Sequence, residues 1–333
     1  MKNLKVKIYK KEKFLKSDLS KSVFDNCKFN QCNFWETTLT KSKFVNIEIN
    51  DSVFSDAKLN NTKFESCFEN LDVYECFYNI LHNAGVCSKR FLVQKVDRSV
   101  SGLVAQQQCV GPWLTPLSDY SMNLLSTYDY RGVASSLGEK PISGIFDVES
   151  MVDATFAECI TNLFMSCFRK FSDIKLQANW MWTIKDKYNH SLLIRAVKRL
   201  NELCKLSGIG IDGGKDSLSM TSYFDGEVVQ SPNTLVLKSY VKIPDVRKRV
   251  TPYFKNGGNS LVHLDFSCGS RRLGGSIFHQ DMPSAEFYYY GNNIKHPRLD
   301  DKIIGSISRI YEIIEKYIKS GCIVSGHDIS DGG

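Results

Sequence analysis

A large apolar residue recurs at every fifth position from Leu19 to Phe64, through Phe24, Phe29, Phe34, Leu39, Phe44, Ile49, Phe54 and Leu59. Two residues ahead of each stands Ser17, Ser22, Cys27, Cys32, Thr37, Ser42, Ile47, Ser52, Ala57 or Thr62, and nine of these ten are small. An interval of five matches neither the two of a strand nor the 3.6 of a helix, so no ordinary amphipathic element accommodates it. A chain that turns a corner every five residues does. Each turn returns the large residue to the interior and the small one to a tight inner position.

This segment, residues 17–68, resembles the pentapeptide-repeat family, whose chains wind as a right-handed four-sided β-helix with four pentapeptides per coil. Ten repeats make about two and a half coils, a short solenoid that is expected to lean on a neighbour. Six lysines stand against seven Asp and Glu in residues 17–68, so the acidic duplex mimicry known in that family is not expected. A spacer or docking role is. Upstream, residues 1–16 hold seven lysines and one glutamate, and Leu4, Val6 and Ile8 alternate with lysine. That reads as a basic strand or tail with a charged outer face.

The net charge of +7 over 333 residues comes almost wholly from this basic start, which leaves the body close to neutral. A dedicated nucleic-acid surface needs many basic groups on one face and is not expected. No apolar run is long enough to span a bilayer and no apolar stretch follows the first lysines, so neither a membrane segment nor a signal peptide is read, and the expected location is cytoplasmic. Eleven cysteines without a CxxC pair and six scattered histidines argue against zinc ribbons and thioredoxin-like motifs. Reduced thiols used as small hydrophobes are expected.

A linker helix is expected over residues 69–87. Beyond it, helical spacing over 145–168 and 191–207, with Gly208 as C-cap, alternates with strand-like runs at 235–241, 260–266 and 322–325. A long helix over 303–319 is closed by Gly321. The fold class is therefore α/β and α+β. Glu158 and Asn162 are four apart on the first helix, one turn apart on one face. Asp119 follows the turn VGPWLTPLSD and Asp328 follows the run CIVSGHD. Three carboxylates and an amide suit magnesium and its attached phosphates, although a solvated Glu and Asn on a helix face is the plain reading of the same spacing. In IGIDGGKDSLSM, Gly213 and Gly214 let backbone N–H groups approach an anion, and Lys215, Ser217 and Ser219 add a charge and hydroxyls. It lacks the GxxxxGK spacing of a Walker loop, and Gly-Gly-Lys-Asp equally fits a hairpin turn.

Seven segments in order, SKRFLVQKVDRSVSGLVAQQQCVGPWLTPLSD (88–119), SLGEKPISG (136–144), AECITNLF (157–164), ANWMW (178–182), GIDGGKDSLSM (210–220), RLGGS (272–276) and SGHDISDGG (325–333), resemble the second half of the synthetase region of large-type phosphoribosylformylglycinamidine synthase. The resemblance covers about 246 residues, from Ser88 onward. It implies an aminoimidazole-ribonucleotide-synthetase-like half, an N-terminal α/β domain over 88–244 followed by the start of a C-terminal α+β domain over 245–333. The implied activity is that of a carbon–nitrogen ligase in purine biosynthesis. ATP phosphorylates the formamide oxygen of formylglycinamide ribonucleotide, and ammonia from a glutaminase domain displaces the phosphate to give the amidine.

Carried over by motif, Lys89, Ser118 and Ser330 contact a nucleotide, ATP or ADP, while Asp119, Glu158, Asn162 and Asp328 hold its Mg2+ ions. Gly214, Lys215 and Ser217 lie near ATP or substrate phosphate. The acidic cluster is expected to be the auxiliary, structural nucleotide site of the family rather than the catalytic one. The family's first synthetase half with its catalytic histidine, and its glutaminase domain, have no counterpart here, and the sequence stops within HDISDGG. No catalytic residue is therefore assigned in this chain, which is expected to be inactive alone, and the expected partners are the missing half and the glutaminase, in another chain or a longer reading frame. The contrasting expectation is a non-catalytic nucleotide-binding or scaffold protein built from the same half and a pentapeptide coil.

Overall fold

The computed structural model describes residues 3–5, 8–10, 12–25, 27–30, 32–34, 36–45, 48–50, 63–65, 73–95, 102–255, 257–266, 274–280 and 296–329. The chain divides into two compact units, residues 1–81 with 281–292 and residues 82–280 with 293–333.

In the first unit the five-residue beat folds as a four-sided coil. β1 (Asn3–Lys5), β3 (Val23–Asp25), β5 (Lys43–Val45) and β7 (Lys63–Glu65) stack in parallel on one side, and β2 (Ile8–Lys10), β4 (Lys28–Asn30) and β6 (Glu48–Asn50) on the next. Partners are a full turn of four pentapeptides apart, as Leu4 with Phe24 and Phe24 with Phe44. Parallel bridges of Lys13 with Asn33 and Asp18 with Thr38 continue the other two sides. Phe24, Phe29, Phe34 and Leu39 are fully buried, and the Phe14 and Phe34 rings stack with centroids 4.5 Å apart. The small inner residues are placed to serve the neighbouring turn: Ser42 Oγ donates to the Leu19 carbonyl at 2.6 Å and Thr37 Oγ1 to that of Phe14 at 2.5 Å. A bulkier side chain there would force the turns apart. The corners use left-handed backbone at Lys16, Lys21, Glu36 and Lys41.

The coil begins upstream of Ser17. Leu4, Tyr9 and Phe14 keep the beat that leads to Leu19, and β1 and β2 pair with β3 and β4. The basic segment carries strands, as read, and these two pair into the first turn of the coil; the local alternation of Leu4, Val6 and Ile8 with lysine hid the longer interval. Ile47, Ser52, Phe54, Ala57, Leu59 and Thr62 lie outside the described residues.

The second unit is built on a six-stranded mixed sheet. Its order is β12 (Gly210–Ser217), β11 (Lys175–Met181), β15 (Thr234–Ile243), β10 (Gly132–Glu139), β9 (Ser121–Leu124) and β8 (Val104–Gln106). Only β11 and β12 run parallel. A separate hairpin joins β13 (Thr221–Phe224) to β14 (Glu227–Gln230) through Asp225 and Gly226, both at positive φ. Along β15, Leu235, Leu237, Ser239, Val241 and Ile243 are buried whereas Lys238 and Lys242 are exposed, the period-two pattern of a sheet covered on one face.

The helices follow the same economy of local signals. α1 (Val73–His82) lies within the expected linker helix, and α2 (Arg90–Lys95) and α3 (Pro141–Phe146) are short. α4 (Val148–Thr161) packs on β10 and β15, and α5 (Lys187–Ser207) packs on α4. A four-residue helix, α6 (Ile277–Gln280), precedes α7 (Asp301–Lys319), which packs on α5. Asp186 caps α5 by accepting from the Asn189 N–H at 2.8 Å, and Gly208, at φ 71°, closes it in the left-handed conformation expected of it. Gly321 has φ 76° just after α7. Among the described residues no helix is long and apolar enough to cross a membrane.

Three expectations change. The helix over 145–168 is shorter: it is α4, followed by a 3-10 turn over Phe164–Ser166 and a left-handed Cys167. Residues 260–266 and 322–325 are not strands. Short apolar runs show which segments can extend, but a strand also needs a neighbouring ladder, and none meets them among the described residues. Residues 325 and 326 are held instead by side-chain and loop contacts, Ser325 Oγ donating to the Tyr253 carbonyl at 2.7 Å and Gly326 N–H to that of Thr251 at 3.1 Å.

Candidate functional site

β10 and α4 meet unusually closely, and that contact places two of the expected ligands. A Cβ added at Gly138 would lie 2.2 Å from the Thr155 carbonyl oxygen and 2.7 Å from the Cys159 nitrogen, so only glycine lets the helix approach. Ser136 Oγ, two residues back, donates to the Cys159 carbonyl at 2.6 Å. With α4 seated there, Glu158 and Asn162 both reach the end of β10. The Glu158 carboxylate accepts from the Glu139 N–H at 2.9 Å and from the Lys140 ammonium at 2.8 Å. Asn162 Nδ2 donates to the Leu137 carbonyl at 3.0 Å. The shared helical face read from their spacing is what the structure has.

Asp119 and Asp328 are brought together from opposite ends of the unit. Tyr120, beside Asp119, is buried and donates its hydroxyl to the Val250 carbonyl at 2.6 Å, which anchors the loop before β9. The Asp119 side chain is only 3% exposed; its Oδ2 accepts from the Asp328 N–H at 3.0 Å and its Oδ1 meets His327 Nδ1 at 2.5 Å. The bond to Asp119 raises the His327 pKa above its ordinary value, partly opposed by burial. Burial, with added repulsion from the Asp119 and Glu158 carboxylates, pushes Asp328 up to about 6 although His327 and Thr161 act the other way. The Asp328 Oδ2 atom is buried and has no hydrogen-bond partner.

Excess negative charge in a partly desolvated place, with an orphaned carboxylate oxygen, fits a hard cation that takes oxygen ligands. The gathering is incomplete, because among the described residues no three His, Cys, Asp or Glu side chains form a group able to hold a metal ion. Asp119 and Asp328 are paired, while Glu158 is engaged by Lys140 in a contact that leaves their side chains 16% and 17% exposed. Lys140 and His327 are the two charged members that the spacing argument missed. They lie 18 and 208 positions from the carboxylates they meet, and only their places in SLGEKP and SGHD hinted at them.

The other expected residues lie elsewhere. Ser118 Oγ donates to the Tyr120 carbonyl at 2.7 Å, next to the acidic pair. Lys89 directs its ammonium to the carbonyls of Gly85 and Cys87, at 3.0 and 3.2 Å. Ser330 lies outside the described residues. Gly214, Lys215 and Ser217 belong to the edge strand β12, which continues through the two glycines after a register shift at Asp212, so the hairpin-turn alternative is set aside. Gly214 has φ 153°, and a Cβ on it would fall 2.0 Å from the Ala178 carbonyl oxygen. Lys215 Nζ donates to Ser217 Oγ at 2.6 Å. Glu139, Val236, Asn179 and Lys215 lie in register across adjacent strands. Three strand spacings, roughly 14 Å, therefore separate Lys215 from Glu139, whose N–H binds Glu158. The glycine-rich segment and the acidic group are two places on one sheet.

Comparison with known proteins shows what this chain is similar to. The FGAR-AT PurM_N-like domain matches residues 88–242. Pentapeptide repeats, in eight copies, match residues 17–56. The probable phosphoribosylformylglycinamidine synthase of Arabidopsis thaliana is 40% identical over 265 residues, which cover 79% of this chain and 18% of that protein. The phosphoribosylformylglycinamidine synthase of Homo sapiens is 37% identical over 265 residues, 79% of this chain and 19% of that one. The chain thus spans about a fifth of the length of these relatives. A solved structure of Thermotoga maritima PurL complexed with FGAR aligns with a TM-score of 0.42 and 12% identity over 65% of this chain and 32% of that one, too weak a superposition to carry an argument. The match takes in β8 to β14 and most of β15, and with these relatives it supports the resemblance drawn from the seven segments.

Proposed function

We propose that this chain supplies the second half of the synthetase of a phosphoribosylformylglycinamidine synthase, and that its own task is to hold a magnesium nucleotide. The observation that carries this reading is the meeting of Asp119 and Asp328, 209 positions apart, with an orphaned buried oxygen on Asp328 and the Glu158 carboxylate near enough to repel it. In this reading residues 88–244 and 245–333 are the two synthetase domains, and the other half and the glutaminase come from a second chain or a longer reading frame. The assembled enzyme converts formylglycinamide ribonucleotide to formylglycinamidine ribonucleotide with ATP and glutamine. The nucleotide held here is the auxiliary one.

Bound magnesium neutralises phosphoryl oxygens that would otherwise repel the carboxylates. The protein's own contribution is positional. Asp119 is oriented by the Asp328 N–H and His327, and Asp328 offers the oxygen that no hydrogen bond occupies. Glu158 would join them by giving up its contact with Lys140. Asn162 adds its amide oxygen, Ser118 and Lys89 contact the nucleotide, and Ser330 closes on the phosphates. Gly214, Lys215 and Ser217 form a separate phosphate or substrate contact. Titration of the purified chain with Mg-ADP tests the assignment: Asp119→Ala and Glu158→Ala each weaken binding at least tenfold, and variants that bind as tightly as the parent would remove it.

A further inference from the structure

Both oxygens of Glu158 are taken by two consecutive residues at the end of β10. Oε2 accepts from the Glu139 N–H at 2.9 Å and Oε1 from the Lys140 ammonium at 2.8 Å. The ion pair is largely shielded from solvent, so salt and water weaken it less than they weaken a surface pair. The backbone around it is fixed: Glu139 lies in register with Val236 of β15, Pro141 follows Lys140 at the start of α3, and the close approach of α4 to Gly138 seats Glu158 over the end of the strand. The exchangeable part is the lysine side chain. Its flexible stem lets the ammonium leave Oε1 without moving strand or helix.

Glu158 can offer Oε1 to a divalent ion only when the ammonium has left it. Lysine and metal ion therefore compete for one oxygen, and a site whose competent state is populated only in part loses apparent affinity by that fraction. A phosphate group shifts the balance, because it is an anion that the ammonium can take in exchange for the carboxylate. Asp328 is not blocked in this way, since its Oδ2 has no hydrogen-bond partner.

We propose that Lys140 is an internal counter-ion of the acidic cluster, which makes the cluster select a divalent ion that arrives with a phosphate group over the divalent ion alone. This rests on the magnesium-nucleotide reading and adds to it how the same site discriminates against the uncomplexed metal. Lys140 is a positioning residue, acting through Glu158.

Titration of the full chain with Mn2+ alone, read by electron paramagnetic resonance, and calorimetric titration of the same samples with Mn-ADP test it. Lys140→Gln binds Mn2+ alone about fivefold more tightly than the parent or better, a gain that a damaged fold does not produce, and its preference for Mn-ADP narrows. Lys140→Arg, which keeps the ion pair, binds Mn2+ no more tightly than the parent. Adding Glu158→Gln to Lys140→Gln removes the gain. Lys238→Gln removes the same charge from an exposed position on the neighbouring strand, in register with Leu137, and changes Mn2+ binding less than about twofold. The proposal is overturned if Lys140→Gln binds Mn2+ alone no more tightly than the parent, if the gain survives Glu158→Gln, or if Lys238→Gln gives as large a gain, which would make the effect one of net charge. A parent that binds Mn-ADP while Lys140→Gln leaves Mn2+ binding unchanged defeats this proposal alone. A parent and a Lys140→Gln variant that bind neither Mn2+ nor Mn-ADP defeat the nucleotide reading with it.

Discussion

The backbone N–H of Asp328 donates to Oδ2 of Asp119 at 3.0 Å, and the same carboxylate's other oxygen meets His327. One nearly buried side chain therefore tethers two consecutive residues of a segment that has no strand partner. A hydrogen bond to a charged acceptor contributes about 1.5–3 kcal/mol. In Asp119→Ala the Asp328 amide should exchange with solvent at least tenfold faster, while the Gly326 amide, held by the Thr251 carbonyl, changes less. Hydrogen exchange read residue by residue checks this, and equal protection in both proteins would contradict it.

The two adjacent glycines of β12 should respond very differently to a methyl group. At Gly214 the Cβ meets backbone, with φ 153°, whereas at Gly213 the nearest atom is a Gln177 side-chain carbon at 3.6 Å. Urea unfolding should show Gly214→Ala destabilised by about 3 kcal/mol or more and Gly213→Ala within about 1 kcal/mol of the parent. Similar losses at both would mean that β12 does not lie against β11 in this register.

Asp153 is the centre of a buried ion-pair group. It is 1% exposed and accepts from Arg199 at 2.6 Å, Arg298 at 2.9 Å and the Leu299 N–H at 2.9 Å, joining α4 and α5 to the chain entering α7. Removing one member of such a group leaves uncompensated charge, at about 3–5 kcal/mol. Asp153→Ala should show that loss in urea, and Glu149→Ala, at a more exposed partner of Arg298, about 1 kcal/mol.

The acidic pair should also give the metal-free chain a pH slope. Asp328 is raised from 3.8 to about 6, so the folded state keeps a proton that the unfolded chain has released. The stability linked to that proton is complete below about pH 4 and lost as the pH rises through about 6, up to about 3 kcal/mol. His327, also raised, acts in the same direction, its contribution present below 6.5 and lost at higher pH. Urea midpoints in EDTA should fall from pH 4.5 to 7.5, and Asp328→Asn should flatten the fall; a parent and variant with the same slope would contradict this source.

The sequence revealed most where a short-range rule has one dominant cause. The interval of five from Leu19 onward was enough for the coil, and Asp186, Gly208 and Gly321 mark helix ends by local chemistry. Glu158 and Asn162 share a helix face because spacing alone decides it. Illegible were relations made by pairing and packing: that Leu4 and Tyr9 already belong to the coil, that residues 260–266 and 322–325 meet no ladder, and that Lys140 engages Glu158. The close seat of α4 on Gly138, which brings those groups together, depends on a helix and a strand that no local pattern joins. Asp119 and Asp328 could be linked from sequence only through the family resemblance.

The most direct test of the central claim is thermal unfolding of the purified chain with and without millimolar Mg-ADP, for the parent and Asp119→Ala. A ligand at a hundred times its dissociation constant adds about 2.7 kcal/mol to stability. The expected result is a rise of several degrees in the midpoint of the parent and little or none in the variant. A parent that melts cooperatively at the same temperature with and without Mg-ADP would contradict the claim that these carboxylates hold a magnesium nucleotide.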